Sequence, residues 1–430
     1  MRNRESVPVA TGAGETDGQS APYAGVYVHF PWCLAKCPYC DFVSYVGDGG
    51  ESSRYADAVV RELMRRAPRF QGRRIESIFF GGGTPSLWDP SHLGRVISAV
   101  REVLSVDARA EVTVECNPTS VDERRASALA AAGVNRLSIG VQSLRDEQLR
   151  FLGRLHDAHG AISAVRGVKL AGMKRVSADL IFGLPGQSAS DACAEAQELA
   201  DLGLDHVSCY QLTIEPGTRF GELARKGRLP MVEDGAVADA FLAIDETLSA
   251  SGLVHYEISN YARTGEEARH NVGYWRGHEY LGLGCGAFGF VRDRARDRSR
   301  DAPLPRASGT RYRNVVEPER YMRLTHEGAD VPLPAASGGL ATDCDGWIAS
   351  REALDGETLL RERIMLGLRL REGIDIDTAA RELDVEGWTP ERQSAASCLE
   401  ERGRLVREGS RVRIPPAAWL WTDDTSSRLF

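Results

Sequence analysis

Val26-Tyr-Val-His-Phe-Pro-Trp-Cys33-Leu-Ala-Lys-Cys37-Pro-Tyr-Cys40 places three thiols in a C-x3-C-x2-C triplet directly after an apolar run. The run reads as a strand and the triplet as the loop that leaves it. Three thiolates on one loop can wrap one face of an iron–sulfur cube, but a [4Fe–4S] cluster usually takes four cysteines. One iron is then left for an exchangeable ligand. A zinc site would need four ligands, often from a second paired knuckle, and the other six of the nine cysteines are scattered singly. A disulfide framework is disfavoured by nine cysteines in 430 residues without an expected secretory leader.

Outward from the triplet, short β-rich runs alternate with helical stretches as far as about residue 215. The strand candidates are Gly25–Phe30, Ile75–Phe80, Glu111–Glu115, Arg136–Gln142, Val176–Phe182 and His206–Ile214. Between them, Ser53–Ala67, Pro90–Leu104, Asp122–Ala132, Ala158–Ala171 and Ser188–Leu202 carry helical patterns. Repeated strand–helix units predict an α/β fold with a parallel sheet, and six units fit an open, partial (β/α)6 barrel better than a closed one. The expected organisation is a disordered tail over 1–22, a core over 23–290, a charged solvated insertion over 291–313 and a C-terminal domain over 314–430. Within the last, Glu357–Leu370 reads as an amphipathic helix and Arg404–Ile414 as a β-like pair, which predicts a small helical or winged-helix-like unit. Pro332–Asp345 reads as a second loop.

Bulk chemistry narrows the function. A net charge of −8 argues against broad nucleic-acid binding, which needs basic surface. No apolar stretch approaches the ~20 residues that span a bilayer. The first residues lack a hydrophobic segment, so neither a signal nor a transit peptide is expected. Free thiols and an oxygen-labile cluster fit a reducing cytoplasm.

Polar residues recur where the predicted strands end. Gly81-Gly-Gly-Thr-Pro85 follows the second strand and can bring backbone close to a ligand. Glu115-Cys-Asn-Pro118 ends the third, Ser138-Ile-Gly-Val-Gln142 the fourth, and Ala178-Asp179-Leu-Ile-Phe-Gly-Leu-Pro185 the fifth. Taken singly, Glu115, Gln142, Arg154 and Asp179 are more often surface or structural residues. As a series at the ligand-binding ends of parallel strands they form a candidate site.

The cysteine triplet in this setting resembles the radical S-adenosylmethionine (SAM) superfamily, which implies that SAM chelates the open iron. With Leu152–His156 and Tyr210–Thr218 added, the segments resemble the oxygen-independent coproporphyrinogen III oxidase family from residue 25 to about 290, and more loosely beyond. The resemblance implies that Cys33, Cys37 and Cys40 bind the cluster and that Tyr27, Gly82, Glu115 and Phe288 contact cluster-bound SAM. Tyr39, Gly83, Thr84, Gln142, Arg154, Asp179 and Gln211 match a second SAM-type position of the oxidases.

Two departures separate oxidase from chaperone. The oxidases continue the triplet to a further cysteine, where this chain has Phe42, and a phenyl ring can neither ligate nor transfer hydrogen as a thiol does. The form here resembles the HemW branch, proposed heme chaperones. His270-Asn-Val-Gly-Tyr-Trp275 matches the H-N-x-x-Y-W motif of that branch. Imidazole is a standard heme ligand, so the resemblance implies heme at His270, with Cys285 a weaker second candidate. A single histidine beside aromatics is nevertheless more often a packed polar residue. The expected partners are heme, an acceptor hemoprotein that can be membrane-associated, and an electron donor. The competing readings are an anaerobic coproporphyrinogen III dehydrogenase and a radical SAM enzyme with another substrate.

Overall fold

The computed structural model describes residues 21–293, 308–324 and 346–430. Almost all of the expected tail, most of the 291–313 insertion and the Pro332–Asp345 loop lie outside the described residues. One curved sheet of twelve strands dominates. In chain order these are β1 (Tyr23–Phe30), β2 (Arg74–Gly82), β3 (Val106–Cys116), β4 (Arg136–Gln142), β5 (Arg175–Phe182), β6 (His206–Gln211), β7 (Val254–Glu257), β8 (Asn260–Ala262), β9 (Glu279–Leu283), β10 (Phe288–Arg292), β11 (Gly309–Asn314) and β12 (Ile348–Leu354). Their spatial order is β12-β11-β10-β9-β1-β2-β3-β4-β5-β6-β8-β7. The run from β9 to β6 is parallel throughout, and both flanks are antiparallel.

The six expected strands are β1 to β6. A seventh parallel strand, β9, pairs with β1 through Ala24↔Glu279 to Val28↔Leu283. The antiparallel flank β10–β12 then carries the sheet to Leu354, past the boundary placed at 313/314. The edges of the charged insertion are strand, since Val291 pairs with Thr310 and Arg292 with Gly309.

Five helices form within one residue of their expected ends: α1 (Ser52–Arg66), α2 (Pro90–Val103), α3 (Glu123–Ala131), α4 (Ala158–Leu170) and α5 (Ala189–Asp201). Local chemistry fixes where they start. Asp89 accepts from Ser91 N ahead of Pro90, Asp157 accepts from Gly160 N, and Ser188 and Asp191 form a capping box. These helices cover the outer face of the sheet. On β1, Val26, Val28 and Phe30 are fully buried and join Tyr55, Val59 and Leu63 of α1 in the main core. Each such burial stabilises by roughly 1.5–3 kcal/mol. Tyr27 and His29, on the alternate positions, face the other way.

After α6 (Asp234–Ala250), β7 and β8, the chain forms α7 (Arg269–Trp275). A further helix, α8 (Pro318–Leu324), packs on α1. A second core gathers α9 (Gly356–Gly367), α10 (Ile376–Leu383), α11 (Pro390–Glu401) and a small three-stranded sheet over Ile374–Asp375, Val406–Glu408 and Arg411–Arg413. This is the winged-helix-like unit. It is stitched to the edge of the main sheet by a Glu257↔Leu370 bridge, and by bonds from Ile258 N to Arg369 O and from Arg371 N to Tyr256 O.

A buried charge holds the antiparallel flank to α1. Glu62 is fully enclosed, and it accepts from Asn314 Nδ2 (2.7 Å), Gly284 N (2.9 Å) and the Tyr321 hydroxyl (2.5 Å) while pairing with Arg66. Removing one member of a buried ion pair typically costs about 3–5 kcal/mol. Glu62→Ala is expected to lower the unfolding free energy by that amount, read from denaturant midpoints. A loss below about 1 kcal/mol would show that this network does not anchor the flank.

Candidate functional site

Parallel strands buried on both faces usually read as continuous apolar runs. Here the inner face of β1 to β6 is polar at alternate positions. The register sets Glu115 beside Ser138, Ser138 beside Ser177, Ser177 beside His206, and Asp179 beside Ser208. These side chains, with Tyr27, Phe79, Thr113, Arg136 and Tyr210, enclose a cavity of about 270 Å³.

At the C-terminal ends of the strands lies the cysteine loop. Gly83 N donates to Phe30 O (2.7 Å) and Thr84 N to Trp32 O (2.8 Å), so the glycine segment lies flush against the loop. A Cβ on Gly83 would sit 2.6 Å from Trp32 O, and Gly82 has φ +107°, so both positions need glycine. The Thr84 hydroxyl reaches Cys33 Sγ and Arg154 Nη1 reaches Cys37 Sγ, each at 3.4 Å. Tyr39 stands beside the same pair, Cys37 and Arg154. Arg154 also donates from Nη2 to Gly140 O (2.9 Å), while its buried Nε has no hydrogen-bond partner among the described residues.

The three thiols are free, on one loop, next to a guanidinium and a hydroxyl, which suits thiolate ligands. Among the described residues no three donors close on a single metal ion. A cube spreads its three cysteines over different irons, so the donor set fits a cluster better than a lone ion. The unpartnered Arg154 Nε and the glycine cradle fit a polar ligand above it.

Glu115 accepts from Gly82 N at 3.1 Å. Burial, reinforced by the nearby Asp179 charge, pushes its carboxyl up to about 7, and burial raises Asp179 as well. His29 bridges the Tyr27 hydroxyl (2.9 Å) and Val43 O (2.8 Å), and burial lowers it to about 4. The cavity therefore favours neutral side chains until a charged guest arrives.

The expected residues divide into groups. Tyr27, Gly82, Glu115 and Asp179 share the inner cavity. Cys37, Thr84 and Arg154 line a narrower cleft beside the cysteine loop. Gln142 holds a left-handed φ of +68°, and its amide comes close to Gly140 and Arg154. Gln211 ends β6 exposed, and Phe288 is an exposed ring under the Arg313 guanidinium, outside the cavity lining. Phe42, 59% exposed, reaches the cavity mouth.

His270 lines the same cavity as Tyr27, Glu115 and Asp179, at its floor beside Ser77. Its helix α7 plugs the floor: His270 is 3% exposed, stacks on Phe79 at 4.9 Å and meets Tyr274 edge-on. Nδ1 bonds Ser77 Oγ at 2.8 Å and Nε2 bonds the Tyr274 hydroxyl at 3.1 Å. Burial lowers its pKa to about 3. Heme ligation by His270 would require one of these two hydrogen bonds to be exchanged for the iron. Cys285 is likewise sealed, beside the Tyr55 hydroxyl. Beneath the cavity, Glu111 pairs with Arg175 (3.0 Å) and Arg136 (3.5 Å) and accepts from His270 N.

Sequence reading missed His29, Ser138, Ser177 and Ser208. Their signal was present as polar residues at period two within otherwise apolar strands.

The raised Glu115 pKa has a sign. From its ordinary 4.5 to about 7 the folded chain keeps a proton that the unfolded chain releases, so stability falls as pH rises through that window. The loss attributable to Glu115 is at most about 3 kcal/mol. Glu115→Gln is expected to flatten this part of the urea-midpoint profile of the cluster-free protein, and a profile parallel to wild type would refute the assignment.

Comparison with known proteins fits this geometry. The radical SAM superfamily matches residues 27–199 and the HemN C-terminal domain matches 354–421. A protein named heme chaperone HemW from Escherichia coli is 42% identical over 318 residues, spanning 73% of this chain and 81% of the relative. The protein of that name from Mycobacterium tuberculosis is 34% identical over 402 residues, 93% of each chain. Radical S-adenosyl methionine domain-containing protein 1, mitochondrial, from Danio rerio is 36% identical over 86% of this chain and 78% of its own. The solved coproporphyrinogen III oxidase (HemN) of Escherichia coli superposes with a TM-score of 0.73 at 20% identity, covering 95% of this chain and 90% of that one, and so shares the fold. The cysteine loop, the glycine cradle, the polar-lined parallel sheet and the C-terminal unit thus have one common source: the chain belongs to the HemW family of radical SAM proteins.

Proposed function

We propose that this protein is a heme chaperone, which binds heme and passes it to an acceptor hemoprotein. The observation that carries this over an oxidase is Phe42. Where the oxidases extend the triplet with a thiol, a phenyl ring stands at the cavity mouth and can neither ligate nor relay hydrogen. Cys33, Cys37 and Cys40 would hold the [4Fe–4S] cluster, with SAM on the iron they leave open. When bound, that pair supplies one-electron cleavage of a sulfonium C–S bond.

The chain's own residues prepare the site. Arg154 and Thr84 stabilise the Cys37 and Cys33 thiolates by charge and hydrogen bonding. Tyr27, Gly82, Glu115 and Phe288 are assigned to cluster-bound SAM. Tyr39, Gly83, Thr84, Gln142, Arg154, Asp179 and Gln211 are assigned to a second polar position above it. An electron donor reaches the cluster from outside, and the acceptor is soluble or membrane-associated. No helix among the described residues is long and apolar enough to cross a membrane. We place the protein in a reducing compartment, the cytoplasm.

The test is anaerobic reconstitution with iron, sulfide and SAM, followed by heme titration by absorbance and, in parallel, incubation with coproporphyrinogen III and reductant. Saturable heme uptake near one equivalent without protoporphyrinogen is expected. Conversion to protoporphyrinogen would overturn the chaperone reading in favour of the decarboxylase.

A further inference from the structure

We propose that the outer side of the cysteine loop is a docking surface for a small acidic protein that carries a single low-potential electron. This rests on the cluster assignment in the reading above. Electron transfer falls steeply with distance, so a donor must seat against the face where the cluster's ligands come near solvent. In this chain that face is a groove of about 760 Å³, whose lining includes Cys37 and Cys40. It shares no lining residue with the inner cavity, so a partner seated there leaves the cavity free.

Three segments build the groove. Gly153, with φ +66°, lies flat on Pro38, where a Cβ would come within 2.7 Å of the proline ring. This brings the end of the helix Asp146–Phe151 against the cysteine loop. From the other side, Phe220 N in the helix Arg219–Arg225 donates to Pro38 O at 2.9 Å. The Phe220 ring meets Phe151 at 4.8 Å and Tyr39 at 6.3 Å. The loop is clamped between the two helices, and the centre of the groove is apolar, continued by Leu229 and Pro230.

Around that centre the charge has one sign. Lys36, Arg150, Arg219 and Arg228 line the groove, all four are exposed, and no carboxylate joins them. Lys36 Nζ donates to Phe42 O (3.3 Å) and Arg150 Nε to Asp146 O (3.1 Å), both neutral carbonyls. Arg219 and Arg228 make no side-chain hydrogen bond or ion pair among the described residues. Of the acids near in sequence, Glu222 pairs with Lys226, Asp146 accepts from Ala158 N, and Asp41, Glu147 and Glu215 lie outside the lining. The chain as a whole carries −8, so an acidic partner is repelled by the average surface and drawn to this patch. Such steering raises encounter rate more than affinity. That suits redox encounters, which are small and transient. Nucleic acid would feel the same charge, but an apolar centre beside two cluster thiols favours an electron carrier. In the encounter one electron leaves the carrier, oxidising it by one equivalent, and reduces the cluster by one. No bond forms or breaks and no proton moves.

The test uses the full chain, with a flavodoxin reduced to its hydroquinone as the carrier. Stopped-flow mixing with the anaerobically reconstituted, SAM-loaded protein reads the bimolecular rate of cluster reduction. Amide shifts of isotope-labelled, oxidised flavodoxin read binding to the cluster-free chain. Arg219→Glu combined with Arg228→Glu is expected to lower the rate about tenfold or more at low salt, to abolish its fall with added salt, and to remove the amide shifts. Arg219→Lys combined with Arg228→Lys should keep all three. Reduction by methyl viologen radical, a small cation that needs no docking, should match wild type in both variants. The proposal falls if flavodoxin reduces the glutamate variant as fast as wild type, or if a short DNA duplex binds the wild-type groove more tightly than flavodoxin does. Wild type that assembles no cluster overturns the cluster reading itself, and is told apart because flavodoxin binding to the cluster-free chain is read separately.

Discussion

A carboxylate shared by two guanidiniums closes the floor of the barrel, and the site above it depends on that closure. Glu111 on β3 takes Arg136 from β4 and Arg175 from β5, and its other oxygen holds the backbone of His270. Three neighbouring strands and α7 are thereby fixed at one level. Breaking such a buried cluster leaves an uncompensated charge in a medium of low dielectric, so the floor stays shut. The cavity then opens only at the end where the strands terminate, which is where the cysteine loop lies.

Above the floor, desolvation sets the chemistry. Glu115, Asp179, His29 and His270 are all shifted toward their neutral forms, chiefly by burial. Arg154, anchored to Gly140 O and directed at Cys37, places a positive charge beside the cysteine loop. A cationic sulfonium guest would be met by carboxyls able to ionise in response. The geometry sets the cysteine loop at the strand ends apart from the closed aromatic packing of Phe79, His270 and Tyr274 at the cavity floor.

Much of this was legible in the chain itself. The C-x3-C-x2-C loop, the glycine cradle and the carboxylates at successive strand ends are local patterns, and the structure gathers Tyr27, Gly82, Glu115 and Asp179 into one cavity. What was hidden depends on distant pairing. Glu-Tyr-Leu-Gly-Leu283 is too short to announce itself as a strand, and becomes one because β1 offers it a free edge. The strands on either side of the charged insertion pair with each other, so composition suggested a loop where hydrogen bonding extends the sheet. His270 matched a motif, yet motif matching cannot register that Ser77 and Tyr274 have taken both of its nitrogens.

The C-terminal unit is joined to the main sheet by the covalent run from Leu354 into α9, by the short backbone stitch of Tyr256–Ile258 to Arg369–Arg371, by the ion pairs Arg276–Glu372, Arg292–Glu382 and Arg311–Glu362, and by a core that takes in Phe290. Backbone bonds, ion pairs and shared apolar packing along one sheet edge tie the unit to that edge as a continuation of it. Displacing Leu370 would disturb the stitch and the cleft beside Trp275 and His278 together, because Leu370 belongs to both.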